Sequence, residues 1–288
     1  MVAGLPESIV QSFHSSLQLS ATALDFGPEF ASNKTPEEFV AVVNNILRLH
    51  RGNKLKRLRL HFCPLDLFLP DINNWIAFSI AKGVEALGMD FSMGFDLATD
   101  QFSNGTRFFR LPDHLYPCNS LTHLSLSHCE FQPPLGFTGF SGLQFLSLAN
   151  VDITNDVLQF MLANCPNLES LILRECSSLE SIKLVADNPR VRRLAFIDCW
   201  NTYEIEISAT HLQSFIFYGE YAFGSEFTSS ESSNVIVPSL EDAFISSMGK
   251  ECSEPEHDYI MLLSDIAHVK ILTVCSATLM VILSGAPY

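Results

Sequence analysis

Apolar residues recur along the chain in one short phrase: apolar, two residues, apolar, one residue, apolar, then two residues and a cysteine. Leu168, Leu171, Leu173 and Cys176 spell it, as do Leu55, Leu58, Leu60 and Cys63, and Leu121, Leu124, Leu126 and Cys129. A looser copy runs through Val191, Leu194, Phe196 and Cys199. The second and third apolar positions stand two apart, the period of a strand that turns alternate side chains to opposite faces. Copies without the cysteine complete the series, with first positions at Leu55, Val84, Leu121, Leu143, Leu168, Val191, Leu212, Leu240 and Val269. All but one of these steps are 21 to 29 residues long. Ala21, Leu24 and Phe26 fit the phrase weakly ahead of them.

A short strand that returns every 20 to 29 residues cannot bury its leucines alone, and stacking the copies is what makes a core; this is the signature of leucine-rich repeats. The expected fold is an α/β leucine-rich-repeat solenoid, a horseshoe of about nine irregular repeats with a parallel sheet on its concave face. The expected domains are residues 1–20, poorly ordered, and a repeat domain over 21–288.

The return segments are expected to vary. Thr35-Pro36-Glu37-Glu38 is a capping box with Pro at the first helical position, and Phe39, Val42, Val43, Ile46, Leu47 and Leu49 follow at helical spacing as one apolar stripe. Gly52 is the expected stop. Asp71 is the expected cap of a second helix carrying Ile72, Trp75, Ile76 and Ile80, ended by Gly83. Thr154 precedes a third, which Pro166 closes. Leu179, Ile182 and Leu184, then Ile205 and Ile207, read as extended, so some convex faces are expected to carry strands. Residues 92–114 read as an inserted loop, 224–234 as a polar loop and 253–266 as a late helix. The last strand places Val269, Leu272 and Val274 inward. The two Trp and 23 Phe read as core.

Charge and cysteine content narrow the function. A net charge of −15 excludes a dedicated nucleic-acid binder, which needs a basic face. The most apolar run, 271–283, is shorter than the ~20 residues of a membrane span, and no secretory leader is read at the N-terminus, so the expected location is cytoplasmic, nuclear or both. None of the eight cysteines forms a C-x-x-C pair. Four of them share one repeat position, where a thiol packs under the turn. No metal and no cofactor are expected. Nor is catalysis: Gly139-Phe140-Ser141-Gly142 lacks the final Gly of a nucleophile elbow, and no Gly-rich loop ends in Lys-Ser or Lys-Thr.

Several runs resemble plant F-box/leucine-rich-repeat proteins. They are Leu47-Arg48-Leu49-His50-Arg51-Gly52, Leu121-Thr122-His123-Leu124-Ser125-Leu126-Ser127, Asn164-Cys165-Pro166-Asn167-Leu168-Glu169-Ser170-Leu171 and Ile266-Ala267-His268-Val269. The resemblance implies a substrate-recognition subunit of an SCF-type ubiquitin ligase. In that family an N-terminal F-box binds a Skp-type adaptor that bridges to a cullin, and the repeats hold a protein substrate. Leu5, Pro6, Ile9 and Val10 match the opening of the F-box and are the expected adaptor-binding remnant. The rest of the F-box is unmatched, so the alternative is a repeat module that binds its partner without joining the ligase.

The residues between the leucines would carry recognition. The period of two places them on the concave face, which is expected to hold the protein partner. Arg57, Arg59 and His61 come first, then His123 and Phe145. Ile172 and Arg174 follow, flanked by Ser170, and then Arg193, Ala195 and Ile197. Ile216 and Tyr218 come next, and finally Phe244 and Ser246. Isoleucines, Tyr and Phe interspersed with Arg make the usual composition of a protein-binding hot spot. Six of the 17 Lys and Arg fall between Arg48 and Arg59, a basic stretch that reads as a solvated edge.

Overall fold

The computed structural model describes residues 20–96, 101–102, 108–185, 190–202, 204–219, 235–247 and 266–275. The chain divides into two compact units, Met1–Arg107 and Phe108–Tyr288. The expected F-box remnant, the polar loop and all but the last residue of the late helix lie outside the described residues.

In the first unit β1 (Ala23–Phe26), β2 (Arg57–His61) and β3 (Ala86–Asp90) pair in parallel, Leu24 beside Leu58 and Leu58 beside Leu87. A single helical turn (Pro28–Ala31) and two longer helices, α1 (Pro36–Leu49) and α2 (Leu69–Ala81), return the chain between them. The Thr35 hydroxyl accepts from the Glu38 amide while the Glu38 carboxylate accepts from the Thr35 amide, so two of the helix's otherwise unpaired N–H groups are satisfied. Apolar residues at helical spacing turn inward, where Phe39 stacks on Phe62 with centroids 4.8 Å apart and Trp75 closes the cluster edge-on.

Two helix boundaries differ from expectation. At the end of α1 it is His50, extended at φ −66° and ψ 115°, that leaves the helix, and Gly52 plays no part. The His50 ring reaches back to the Ala21 carbonyl at 2.8 Å, a side-chain tie between repeats that helix patterning cannot foresee. Asp71 does not cap α2. A 3-10 turn over Asp66–Phe68 runs into the helix, and Asp71 instead accepts from Asn44 of α1. Gly83 does end α2, with φ +64°. Within the expected inserted loop, β4 (Phe95–Asp96) and β5 (Gln101–Phe102) form an antiparallel pair.

In the second unit β6 (Phe109–Arg110) precedes the repeat strands and pairs with β8 (Cys129–Glu130). Seven strands then form one parallel sheet: β7 (His123–Ser127), β9 (Phe145–Ala149), β10 (Ser170–Arg174), β12 (Arg193–Ile197), β14 (Ser214–Gly219), β16 (Asp242–Ser247) and β17 (Ile271–Val274). The helix α3 (Asn155–Asn164) carries its expected Thr154 cap. A second parallel sheet is formed by β11 (Ser181–Val185), β13 (Glu204–Ser208) and β15 (Val235–Ile236); the first two are the strands that the extended return segments predict, and β15 was not foreseen. The fold is the α/β leucine-rich-repeat solenoid. Every expected strand is present, beginning two residues after its first apolar position, and β1 is a tenth.

The leucine phrase builds the core as its period requires. Leu58, Leu60, Leu124, Leu126, Leu146, Leu148, Leu171 and Leu173 are buried, and the intervening side chains stand on the other, open face of the sheet. Three apolar expectations fail. Leu49, at the last position of α1, is 40% exposed and lies off the buried stripe. Leu272 is 44% exposed, because β17 pairs on one side only among the described strands. Trp200 is 48% exposed in the turn after β12 and is no part of the core.

The cysteine position is explained by the turn in front of it. After β7, β9, β10 and β12 the chain enters the left-handed region at His128, Asn150, Glu175 and Asp198, with φ between 48° and 55°. That conformation costs roughly 1–2 kcal/mol for a residue with a Cβ. Each amide there donates to the next strand: His128 to Ala149, Asn150 to Arg174, Glu175 to Ile197 and Asp198 to Tyr218, at 2.7 to 3.0 Å. The extra rung offsets the strain and turns the following residue inward. Cys176 Sγ thereby donates to the Arg174 and Leu148 carbonyls, and Cys199 Sγ to those of Ile197 and Leu173.

Candidate functional site

Strand pairing arranges the open face in rows, since residues paired in parallel strands project together. In the first unit one row is Ala23, Arg57 and Ala86, and the next is Asp25, Arg59 and Gly88. Arg57 and Arg59 are exposed, as the alternation requires. Arg59 lies along Gly88, where a Cβ would meet its Cγ at 3.6 Å, and its guanidinium stands 3.8 Å from Asp25. His61 is half-buried beside Asp90, with Nδ1 3.1 Å from Oδ2, a close polar contact and not a straight hydrogen bond. Burial alone would raise the Asp90 carboxyl, but the His61 ring and the Ser92 amide outweigh it and hold the group well below the usual carboxylate range. Asp25 and Asp90 thus answer two of the three expected basic residues. Lys54 of the basic stretch is likewise paired, to Glu85.

The second unit has three rows. The first runs His123, Phe145, Ser170, Arg193, Ser214, Asp242, with the His123 and Phe145 rings stacked at 5.8 Å. The middle row is Ser125, Ser147, Ile172, Ala195, Ile216, Phe244. The last is Ser127, Ala149, Arg174, Ile197, Tyr218, Ser246. His123, Arg174 and Arg193 are exposed, and Phe145, Ile172, Ile197, Ile216, Tyr218 and Phe244 are half-buried. Register therefore brings five of the expected apolar residues into two adjoining rows on β10, β12, β14 and β16. Three small residues assigned to the same face, Ser170, Ala195 and Ser246, are buried; in register Ser170 lies between Phe145 and Arg193, Ala195 between Ile172 and Ile216, and Ser246 beside Tyr218.

The polar groups around this patch are mostly engaged with the chain itself. Ser214 donates to Asp242 at 2.9 Å. Burial pushes the Asp198 carboxyl up against the opposing pull of Arg174. Arg174 and Arg193 make no ion pair with a carboxylate among the described residues. Among those residues no three His, Cys, Asp or Glu side chains gather as a metal site. No described helix is long and apolar enough to cross a membrane. The Cys176 thiol is driven up by the adjoining Cys199 and by burial, so it is a protonated donor and not a nucleophile.

Comparison with known families places the repeats. Residues 46–284 match the family described as At1g61320/AtMIF1, LRR domain. The chain belongs to this family. Its curated relatives are plant proteins. F-box/FBD/LRR-repeat protein At1g13570 of Arabidopsis thaliana is 32% identical over 140 residues, which are 49% of this chain and 30% of the relative. Putative FBD-associated F-box protein At1g61330 of the same plant is 26% identical over 157 residues, 53% of this chain and 32% of the relative. FBD-associated F-box protein At1g61320, also from that plant, is 24% identical over 166 residues, 57% of this chain and 34% of the relative. The chain thus spans about a third of the length of these relatives.

Within this LRR-domain family the phrase of leucines explains the buried face alone. What distinguishes the open face is the residues between them. Periodicity located all twelve of the expected recognition residues on that face. It could not locate their carboxylate neighbours, Asp25 and Asp90, as partners, because pairing across strands depends on register. The left-handed column His128, Asn150, Glu175 and Asp198 was also missed, although Asn and Asp two residues after the last buried apolar residue of a strand are a usable signal.

Proposed function

We propose that the chain is a protein-recognition module that holds its partner on the open face of the repeat sheet in the second unit. The observation that carries this reading is the pair of apolar rows, Ile172, Ile216 and Phe244 beside Ile197 and Tyr218. These are large side chains that the core does not use, with arginines at their edge. The names of the relatives support the finer reading, in which the bound protein is a substrate presented to an SCF-type ubiquitin ligase through a Skp-type adaptor and cullin. No step of catalysis is assigned to the chain itself, and the compartment proposed is the cytoplasm or nucleus.

Two measurements test it. Co-elution of the purified chain with a plant Skp-type adaptor at equal stoichiometry supports the ligase role. Its absence leaves a binding module that acts without the ligase. Proteins cross-linked through a photoreactive residue at position 216 should be lost on changing Tyr218→Ala together with Arg174→Ala, with circular dichroism unchanged. Retention of the same proteins would move the binding surface elsewhere.

A further inference from the structure

Two cysteines of the repeat column are neighbours. Of the four that share the position, only Cys176 and Cys199 stand in consecutive repeats, since Val151 separates Cys129 from Cys176. The register that pairs Arg174 with Ile197 ahead of them holds beyond them as well. Asn201 Nδ2 donates to the Ser177 carbonyl at 2.7 Å, and Thr202 Oγ1 to that of Leu179 at 2.9 Å. Each cysteine carbonyl accepts from the amide three residues on, Leu179 in one turn and Thr202 in the other, so the two turns share one shape. Cys176 and Cys199 therefore hold equivalent places on neighbouring parallel segments. Strands in a sheet lie roughly 4.8 Å apart, inside the range of about 4.4 to 6.8 Å that a disulfide spans between Cα atoms.

The side chains meet. Cys199 Sγ reaches back across the sheet to within 3.8 Å of the Leu173 carbonyl oxygen, on the strand that leads to Cys176. The two thiols also hydrogen-bond to each other, Cys176 as donor and Cys199 as acceptor. That bond stabilises a thiolate on Cys199 and lowers it, while Cys176 is raised. Cys176 is buried and Cys199 only half-buried. Access and negative charge thus fall on the same sulfur, the two conditions of a reactive thiol.

We propose that Cys199 and Cys176 are an oxidation site for hydrogen peroxide, in which Cys199 is oxidised first and Cys176 closes a disulfide with it. The Cys199 thiolate attacks one peroxide oxygen, the O–O bond breaks, and hydroxide leaves and takes up a proton as water. Cys199 is then a sulfenic acid, two electrons poorer. The charge that kept the proton on Cys176 is gone at that point. The Cys176 sulfur bonds to the Cys199 sulfur, the S–O bond breaks, and the Cys176 proton departs with the hydroxide as a second water. One peroxide is reduced to two waters and two thiols are oxidised to one disulfide. The bond ties the turns that end β10 and β12, the strands that carry Ile172, Arg174 and Ile197.

The test uses the reduced full chain under native conditions. After exposure to hydrogen peroxide and blocking with N-ethylmaleimide, peptide mapping without reduction should find Cys176 linked to Cys199, and dithiothreitol should release them. Dimedone should trap a sulfenic acid on Cys199 in Cys176→Ala, and none on Cys176 in Cys199→Ala, with circular dichroism confirming that both variants fold. In the unmodified sequence, iodoacetamide should label Cys199 at least about tenfold faster than the buried Cys63, Cys129 and Cys165. The disulfide map and the labelling order need no substitution, so they hold even if a variant fails to fold.

Two thiols left intact after peroxide, or linkage that forms only in urea, would overturn the proposal and leave packing as their role. Linkage of Cys199 to a different cysteine, or dimedone on Cys176 in place of Cys199, overturns it equally. None of these readouts involves the open face of the sheet, so its part in recognition is tested separately.

Discussion

Glu175 occupies a backbone conformation that favours glycine, with φ 52°, in a column where His128, Asn150 and Asp198 do the same. Its amide bond to Ile197 does not depend on its side chain. Glu175→Gly should therefore remove steric strain and keep the rung, raising stability by about 1 kcal/mol after the added freedom of Gly in the unfolded chain is subtracted. Glu175→Val should lower it, since branching at Cβ worsens the same clash. Urea unfolding of the two variants against wild type reads both signs. Asp90 makes a different prediction. Its carboxyl is held below the usual range when folded, while its unfolded value is about 3.9, so the unfolded chain binds more protons as pH falls through that region. Its stabilising contribution is complete above about pH 5 and is lost at lower pH. Asp90→Asn should flatten the acid limb of a stability-against-pH curve below about pH 5 while leaving its neutral limb parallel to wild type.

Individual elements stand on local signals of unequal strength. The reciprocal Thr35 and Glu38 bonds start α1. Thr35→Ala should cost about 1 kcal/mol in urea unfolding, and a Thr35→Ala, Glu38→Ala double variant should lose less than the two single losses added together, because the bonds share a turn. Both ends of this helix show how far local reading goes. The start was legible because the capping box lies within four residues. The stop at His50 was not, because it depends on a carbonyl 29 residues earlier. The same contrast separates Gly83, a stop legible from the residue type, from Asp71, whose carboxylate is taken by Asn44 on the neighbouring helix. The convex strands β11 and β13 were legible in alternating Ile and Leu. Their pairing, Ile182 beside Ile205, was not.

For the molecule as a whole, charge and family lineage act together. The net charge of −15 and a calculated isoelectric point of about 4.9 place the chain far from neutrality at pH 7. Mutual repulsion should keep it dispersed there, with a solubility minimum near pH 4.9 that turbidity would locate. A maximum of solubility at that pH would contradict this. The At1g61320/AtMIF1 repeat match across residues 46–284 accounts for the scaffold. It does not specify a ligand, because the residues between the leucines can change without disturbing the buried phrase.

The amino-acid sequence by itself determined the repeat, the buried face and the set of side chains turned away from it. All three follow from a spacing of two along a strand and of twenty-odd residues between strands, and such periods survive in one dimension. Only the tertiary structure decided which of those side chains are neighbours. Register put Ala195 between Ile172 and Ile216 and set Arg193 and Arg174 on adjoining strands beside the apolar rows. It also answered Arg59 with Asp25 and His61 with Asp90. The physical reason is that cross-strand contact depends on the alignment of segments tens of residues apart, which the pattern within any one of them does not contain.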